Sequence, residues 1–177
     1  MFQIALMVFS TSLAADPCVS GVPVGKRPGP YSFLVATGPQ SGQQTCYICD
    51  QEDKPAVVVF TRKLDEPLAK LLLQLDGEVA KKKGSGFKVW MTQLTPKADL
   101  DSLSNWSKKQ GLKSIPLGAF EDVDGPPAYK LNVDAEVTVL LFVKKKVVAN
   151  FAFRDGELKD ENAKKVMEEL PKLFEGK

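Results

Sequence analysis

Two patterns of apolar residues alternate along the chain. Short continuous runs predict strands covered on both faces of a sheet, and the β-branched run at residues 56–60 is the candidate for its centre. Apolar residues three and four positions apart predict helices that pack one face against that sheet. The first helix follows Asp65, a suitable amino-terminal cap, and Pro67, which fits a first turn. Its inward stripe comprises Leu68, Leu71, Leu72, Leu75 and Val79.

The other predicted elements follow from the same patterns and from turn residues. A second helix begins near Pro96 and stops at Gly111, and Pro171 ends or kinks a last helix. The further predicted strands cover residues 31–37, 44–49, 87–94, 115–120, 137–143 and 147–153. The first two of these strands form an amino-terminal β-hairpin, and the last two form a late hairpin. This order predicts an α/β fold with a central mixed sheet flanked by helices.

The amino-terminal 15 residues contain no charged side chain, and an apolar run at residues 4–9 precedes small residues that end in Ala14 and Ala15. A run this short does not span a bilayer, which takes about 20 residues. The pattern predicts a signal peptide over residues 1–15 and export to the periplasm or the cell exterior. A buried strand or helix is the alternative, because no Lys or Arg precedes the run. Residues 16–30 are rich in Pro and Gly, which predicts an extended arm before one domain at residues 31–177.

Charge and composition exclude several classes of function and partner. The chain has 24 Lys and Arg against 22 Asp and Glu, so a nucleic-acid partner is not expected. It contains no His, which excludes Ser/His and Cys/His hydrolases and His-ligated metal sites. Runs of three lysines at residues 81–83 and 144–146 lie at the ends of predicted elements, which favours solvated faces over an anionic partner. No cofactor motif is present, and no cofactor is expected.

Cys46 and Cys49 form a Cys-x-x-Cys motif, a spacing that permits a small disulfide or a shared metal ion. In one interpretation they are a redox pair: one thiolate attacks the disulfide of a partner protein and the other cysteine resolves the mixed disulfide. In another they are a structural clip of the kind found in exported proteins.

Cys18 is the third thiol and lies in the predicted arm. It is placed to form a mixed disulfide, to attack the Cys46–Cys49 disulfide or to link two chains. A zinc site built from the three cysteines would be incomplete unless Asp50, Asp53 or a second chain supplied a ligand, so no metal is expected.

Three short segments resemble a known superfamily. Val24-Gly-Lys-Arg-Pro-Gly-Pro-Tyr-Ser-Phe33 is similar to its opening arm, and Asp53-Lys-Pro-Ala-Val-Val-Val-Phe60 is similar to its central strand. Val137-Thr-Val-Leu-Leu-Phe142, followed by Lys145-Lys-Val-Val-Ala-Asn150, is similar to its late hairpin. Over residues 24–174 the chain therefore resembles the thioredoxin-like superfamily, and within it the redoxin and peroxiredoxin-type branch. The resemblance implies a thioredoxin-like fold.

Two departures from the family limit what this resemblance implies about the site. Thioredoxins carry Cys-x-x-Cys just after the central strand, whereas residues 61–65 contain no Cys and the pair lies upstream. Thioredoxins also place a cis-Pro before a Thr that faces the active centre, and here Val137 precedes Thr138. Of the family's site residues only Thr138 carries over, and the family geometry would place it near the two thiols.

The leading hypothesis is thus an exported thiol-disulfide oxidoreductase that uses Cys46 and Cys49. The alternative is a non-enzymatic binding or scaffold module in which the disulfide is structural.

Overall fold

In the computed structural model, which describes residues 16–175, the central strand β3 (Ala56–Thr61) is buried along its whole length. It pairs in parallel with β4 (Lys88–Leu94) and antiparallel with β6 (Val137–Val143). The other strands are β1 (Phe33–Val35), β2 (Gln44–Thr45), β5 (Leu117–Phe120) and β7 (Lys146–Phe153). They form one mixed sheet in the order β2-β1-β5-β4-β3-β6-β7, which confirms the predicted sheet.

The helices connect these strands and cover the sheet. Within residues 16–175 they are α1 (Tyr47–Gln51), α2 (Glu66–Lys81), α3 (Leu100–Gln110) and α4 (Asp160–Glu169), with 3₁₀ turns at Pro127–Tyr129 and Leu170–Leu173. Asp65 caps α2 as predicted, since its carboxylate accepts a hydrogen bond from the Leu68 amide. Gly111 ends α3 as predicted, with a φ of 78° that a glycine adopts without strain. Of the helices described, none has the length and apolarity to cross a membrane.

Alternate residues of β3 face opposite sides of the sheet and belong to two separate cores. Val57 and Val59 pack with α2, α3 and α4 on one face of the sheet. Val58 and Phe60 face a second core on the other side. This second core is rich in aromatic residues, with Tyr31, Phe33, Tyr47, Trp90 and Tyr129 among its members. Because Tyr47 belongs to α1, the aromatic core fixes the position of the segment that carries the two cysteines.

The strand predicted over residues 44–49 is wrong beyond Thr45, because β2 ends there and α1 begins at Tyr47. Residues three apart on a strand lie roughly 10 Å apart and face opposite sides of the sheet. Cys46 and Cys49 are joined by a disulfide with their Cα atoms 5.4 Å apart, a separation that a helical turn allows and a strand does not.

Residues 16–30, predicted as an extended arm, form neither helix nor strand and run beside the late hairpin. The Gly25 amide donates to the Val147 carbonyl, and the Val147 amide donates to the Lys26 carbonyl, at 2.8 and 2.9 Å. These bonds attach the arm to β7 at the end of the sheet nearest α1. The signal peptide predicted over residues 1–15 lies outside the described residues.

Candidate functional site

The Cys46–Cys49 disulfide lies in the connection between β2 and β3 and joins the residue before α1 to the third residue of α1. Cys49 is exposed and Cys46 is half-buried. The two cysteines that the sequence singled out are therefore bonded to each other, and Cys49 is the more exposed residue of the pair.

Two buried side chains, one between the cysteines and one after them, hold α1 against the domain. The Tyr47 ring makes edge contacts with Phe33 and Trp90, at centroid distances of 5.4 and 5.7 Å. Burial, together with the Asp50 carboxylate, raises the pKa of the Tyr47 phenol. The buried Gln51 side chain donates from Nε2 to the carbonyls of Pro55 and Gly86, both at 2.8 Å. The disulfide thus lies on a segment that packing and hydrogen bonds already anchor.

Cys46 is the amino-terminal cap of α1, and its sulfur accepts a hydrogen bond from the Cys49 amide at 3.3 Å. A donor in this position stabilises negative charge on sulfur. When the disulfide opens, this amide stabilises a thiolate on Cys46, and Cys49 is the more exposed residue for a reactant to approach.

Cys49 lines a groove of about 410 Å³ between α1, the arm and the β6–β7 hairpin. The other lining residues are Arg27, Pro28, Gly29, Pro30, Ile48, Glu52, Phe142 and Lys145. Phe142 is buried and provides an apolar floor, whereas Arg27 and Lys145 are exposed cations at the rim. We call this set of residues the Cys49 groove.

Most residues of the Cys49 groove were not predicted from the sequence as parts of a site. Lys145 belongs to a lysine run interpreted as a solvated face, and Arg27 belongs to the arm. No local pattern joins the two segments, because the hydrogen bonds between the arm and β7 form only in the folded chain.

The structure does not bring Thr138 next to the cysteines. Thr138 pairs with Phe60 near the end of β3, whereas Phe142, at the Cys49 groove, pairs with Ala56 at its beginning. Four residues along a strand correspond to about 13 Å. Thr138 is buried, and its hydroxyl is hydrogen-bonded to that of Ser20 at 2.8 Å, so it joins the arm to the sheet.

Cys18 also lies away from the disulfide and is a free thiol. Its neighbours Arg154 and Glu157 follow the far end of β7, whereas Lys145 of the Cys49 groove precedes the near end. Burial raises the pKa of the Cys18 thiol, against the opposing effect of the Arg154 cation. Over residues 16–175, no three Cys, Asp or Glu residues come together as a metal-ligand set.

A structural side chain occupies the place after β3 where thioredoxins carry their cysteines. Arg62 donates from Nε to the Ala135 carbonyl at 3.0 Å and from Nη2 to the Asn132 carbonyl at 3.2 Å, and its Nη1 contacts the Val123 carbonyl. Arg62 thus ties together the loops at this end of the sheet.

The fold has close counterparts among solved structures. One is a candidate thiol:disulfide interchange protein DsbE from Chlorobium tepidum, with a TM-score of 0.67, 14% identity, and coverage of 86% of this chain and 99% of that one. The chain has a thioredoxin-like fold. A thiol-disulfide oxidoreductase from Bacteroides fragilis matches this fold with a TM-score of 0.57, 13% identity, and coverage of 82% and 99%.

The thioredoxin-like fold is also that of a yeast mitochondrial 1-Cys peroxiredoxin, with a TM-score of 0.60, 11% identity, and coverage of 86% of this chain and 78% of that one. No protein-family model and no curated protein matches the sequence. The neighbours therefore establish a thioredoxin-like fold, and the chemistry depends on this chain's own site.

Proposed function

We propose that this protein is an exported thiol-disulfide exchange protein whose redox pair is Cys46 and Cys49. The observation that carries the proposal is a disulfide on a thioredoxin-like fold in which one cysteine, Cys49, is exposed and lines a groove. Structural neighbours described as thiol-disulfide oxidoreductases support the same chemistry.

The exchange follows from the unequal exposure of the two sulfurs. A thiolate of the partner attacks Sγ of Cys49, the Cys46–Cys49 bond breaks, and Cys46 leaves as a thiolate facing the Cys49 amide. A second partner thiolate attacks the mixed disulfide and releases Cys49 as a thiolate. In total two partner thiols become one disulfide, giving up two electrons and two protons, and the protein disulfide becomes a dithiol.

The anchoring of α1 favours exchange over a structural clip. Tyr47 and Gln51 hold this segment through ring contacts and two hydrogen bonds that do not involve sulfur. The disulfide closes a very short loop, for which chain entropy gives about 2 kcal/mol of stabilisation or less. The fold can therefore retain α1 while the disulfide opens and closes.

The reduction potential of Cys46–Cys49 tests the proposal directly. Equilibration with thiol redox buffers, followed by alkylation and mass spectrometry, should give a value between about −120 and −270 mV. The reduced protein should also reduce insulin, and Cys46→Ser and Cys49→Ser should each abolish that activity. Cys18→Ser is the matched control and should retain it. Parental insulin reduction by both single variants would refute the redox role.

The second candidate function is a non-enzymatic binding or scaffold module. The observation in its favour is that Arg62 and Thr138 have structural contacts at the end of the sheet where thioredoxins carry their active centre. A Cys46–Cys49 potential below about −300 mV would support this function, because structural disulfides resist reduction by the glutathione pool.

Export is the remaining part of the proposal. The signal-like pattern of residues 1–15 supports it, and so does a disulfide, which persists mainly in oxidising compartments. Expression of the full chain, fractionation of the cells and amino-terminal sequencing should find mature protein outside the cytoplasm, beginning near Asp16. Full-length protein confined to the cytoplasm would exclude export.

A further inference from the structure

The Cys49 groove combines a reactive sulfur with a basic rim. The hydrogen bonds between the arm and β7 bring Lys26 and Arg27 beside the lysines at residues 144–146. Lys145 has Asp53 at 3.9 Å, but about half of its side chain remains exposed. Glu52 is the acidic member among the residues that line the groove. Among the residues that line the groove, two are cations and one is an acid.

The groove is also small. Its volume of about 410 Å³ lies in the range of small-molecule sites, which is about 300–1,000 Å³. Phe142 and Ile48 give it an apolar surface on which a short carbon chain can pack, with Arg27 and Lys145 at its edge to attract carboxylates.

We propose that the Cys49 groove binds a small thiol that carries carboxylates, of about tripeptide size, and directs its sulfur to Sγ of Cys49. This inference rests on the proposed exchange function and names its substrate class. The bound thiolate attacks Cys49, the Cys46–Cys49 bond breaks, and Cys46 leaves as a thiolate. A second molecule of the same thiol then displaces Cys49 and is released with the first as a disulfide, so two thiols supply the two electrons.

The carboxylates are the part of the ligand that the groove recognises. A comparison of glutathione with its diethyl ester separates recognition of the carboxylates from the intrinsic reactivity of the thiol, because the ester has the same thiol-bearing tripeptide without free carboxylates. We expect glutathione to reduce the oxidised protein about tenfold faster than the ester, at equal thiolate concentrations, because cations around a reactive site attract anionic reactants. The readout is the rate at which Cys46 and Cys49 become available to alkylation, measured by mass spectrometry.

Substitution of the two cations at the rim tests whether they cause the difference between the two rates. In the double variant Arg27→Gln and Lys145→Gln the ratio of the two rates should fall close to one, with the rate for the ester unchanged. Lys109→Gln, which removes an exposed cation from α3, is the matched control and should keep the tenfold ratio.

The outcomes separate this inference from the proposed function. Equal rates for glutathione and its ester in the parent, or a ratio that persists in the double variant, would overturn the groove assignment and leave the exchange function standing. An acidic cysteine-containing pentapeptide that reacts faster than glutathione would also overturn it, in favour of a protein partner. Failure of every thiol to open the disulfide would overturn both.

Discussion

The Arg62 side chain donates a hydrogen bond to the main-chain carbonyl of Ala135, 3.0 Å from Nε, and so joins the end of β3 to the loop before β6. Together with the Asn132 and Val123 carbonyls, this gives the guanidinium three acceptors from two loops. A lysine ammonium cannot match that planar arrangement. Arg62 is therefore a structural residue at the position after β3 where thioredoxins carry their cysteines.

Arg62→Lys should lower the free energy of unfolding by about 1–3 kcal/mol, since buried or half-buried carbonyls lose charged donors. Urea denaturation measures this change. Lys63→Gln, which breaks only the exposed ion pair with Asp155, is the control and should cost under about 1 kcal/mol. The Cys46–Cys49 potential should be the same in Arg62→Lys as in the parent. A shifted potential would show that this end of the sheet influences the disulfide.

Glu136 should make stability depend on pH. Burial raises the pKa of its carboxyl, the nearby Asp155 carboxylate raises it further, and its buried Oε1 has no hydrogen-bond partner among residues 16–175. The folded protein thus binds this proton more tightly than the unfolded chain, whose Glu pKa is about 4.3. Stability falls as pH rises from that value through the raised folded pKa.

Glu136→Gln should therefore be more stable than the parent at pH 7, and the difference should vanish near pH 3, where the carboxyl is neutral in both states. Thermal unfolding across this pH range measures the difference. A gain in stability that is the same at every pH would mean that packing or hydrogen bonding, and not ionisation, is responsible.

Glu52 has a backbone conformation that favours glycine. Its φ is 50° and its ψ is −121°, at the turn that links α1 to β3, where the Lys54 amide donates to the Gln51 carbonyl. Glu52→Gly should stabilise the protein by about 1 kcal/mol, because it removes strain of this order. Glu52→Ala keeps the Cβ atom and should give no such gain. Equal stability of the two variants in urea would show that the backbone at this turn is unstrained.

Because the two cysteines differ in exposure, their single-serine variants should form mixed disulfides at different rates. Cys46→Ser leaves the exposed Cys49 without its resolving partner, so this variant should accumulate a mixed disulfide with a small thiol. Cys49→Ser leaves the half-buried Cys46, which should form the adduct several-fold more slowly because its residue is less accessible, even though the Cys49-position amide stabilises its thiolate. Intact mass spectrometry after incubation with oxidised glutathione measures both rates. The opposite order would make Cys46 the sulfur that partners reach.

Local sequence was sufficient to predict much of the fold. The apolar run of β3, the stripe of α2 after Asp65 and the stop at Gly111 depend on residues close in the chain, and each appears where predicted. The short α1 was missed because it is held by the packing of Tyr47 against Trp90 and by hydrogen bonds from Gln51, two features without a local signal.

Apart from α1, the sequence by itself determined the order of the main strands and helices, and it determined the presence of two cysteines at disulfide spacing, since side-chain periodicity and short spacings are local properties. Only the tertiary structure decided where on the sheet the pair lies, which cysteine is the more exposed, and that Arg27 and Lys145 line a groove with Cys49. These features arise when pairing of β3 with β6 and attachment of the arm to β7 bring distant segments together. These contacts join residues that are far apart in the sequence, so they exist only once the sheet has formed.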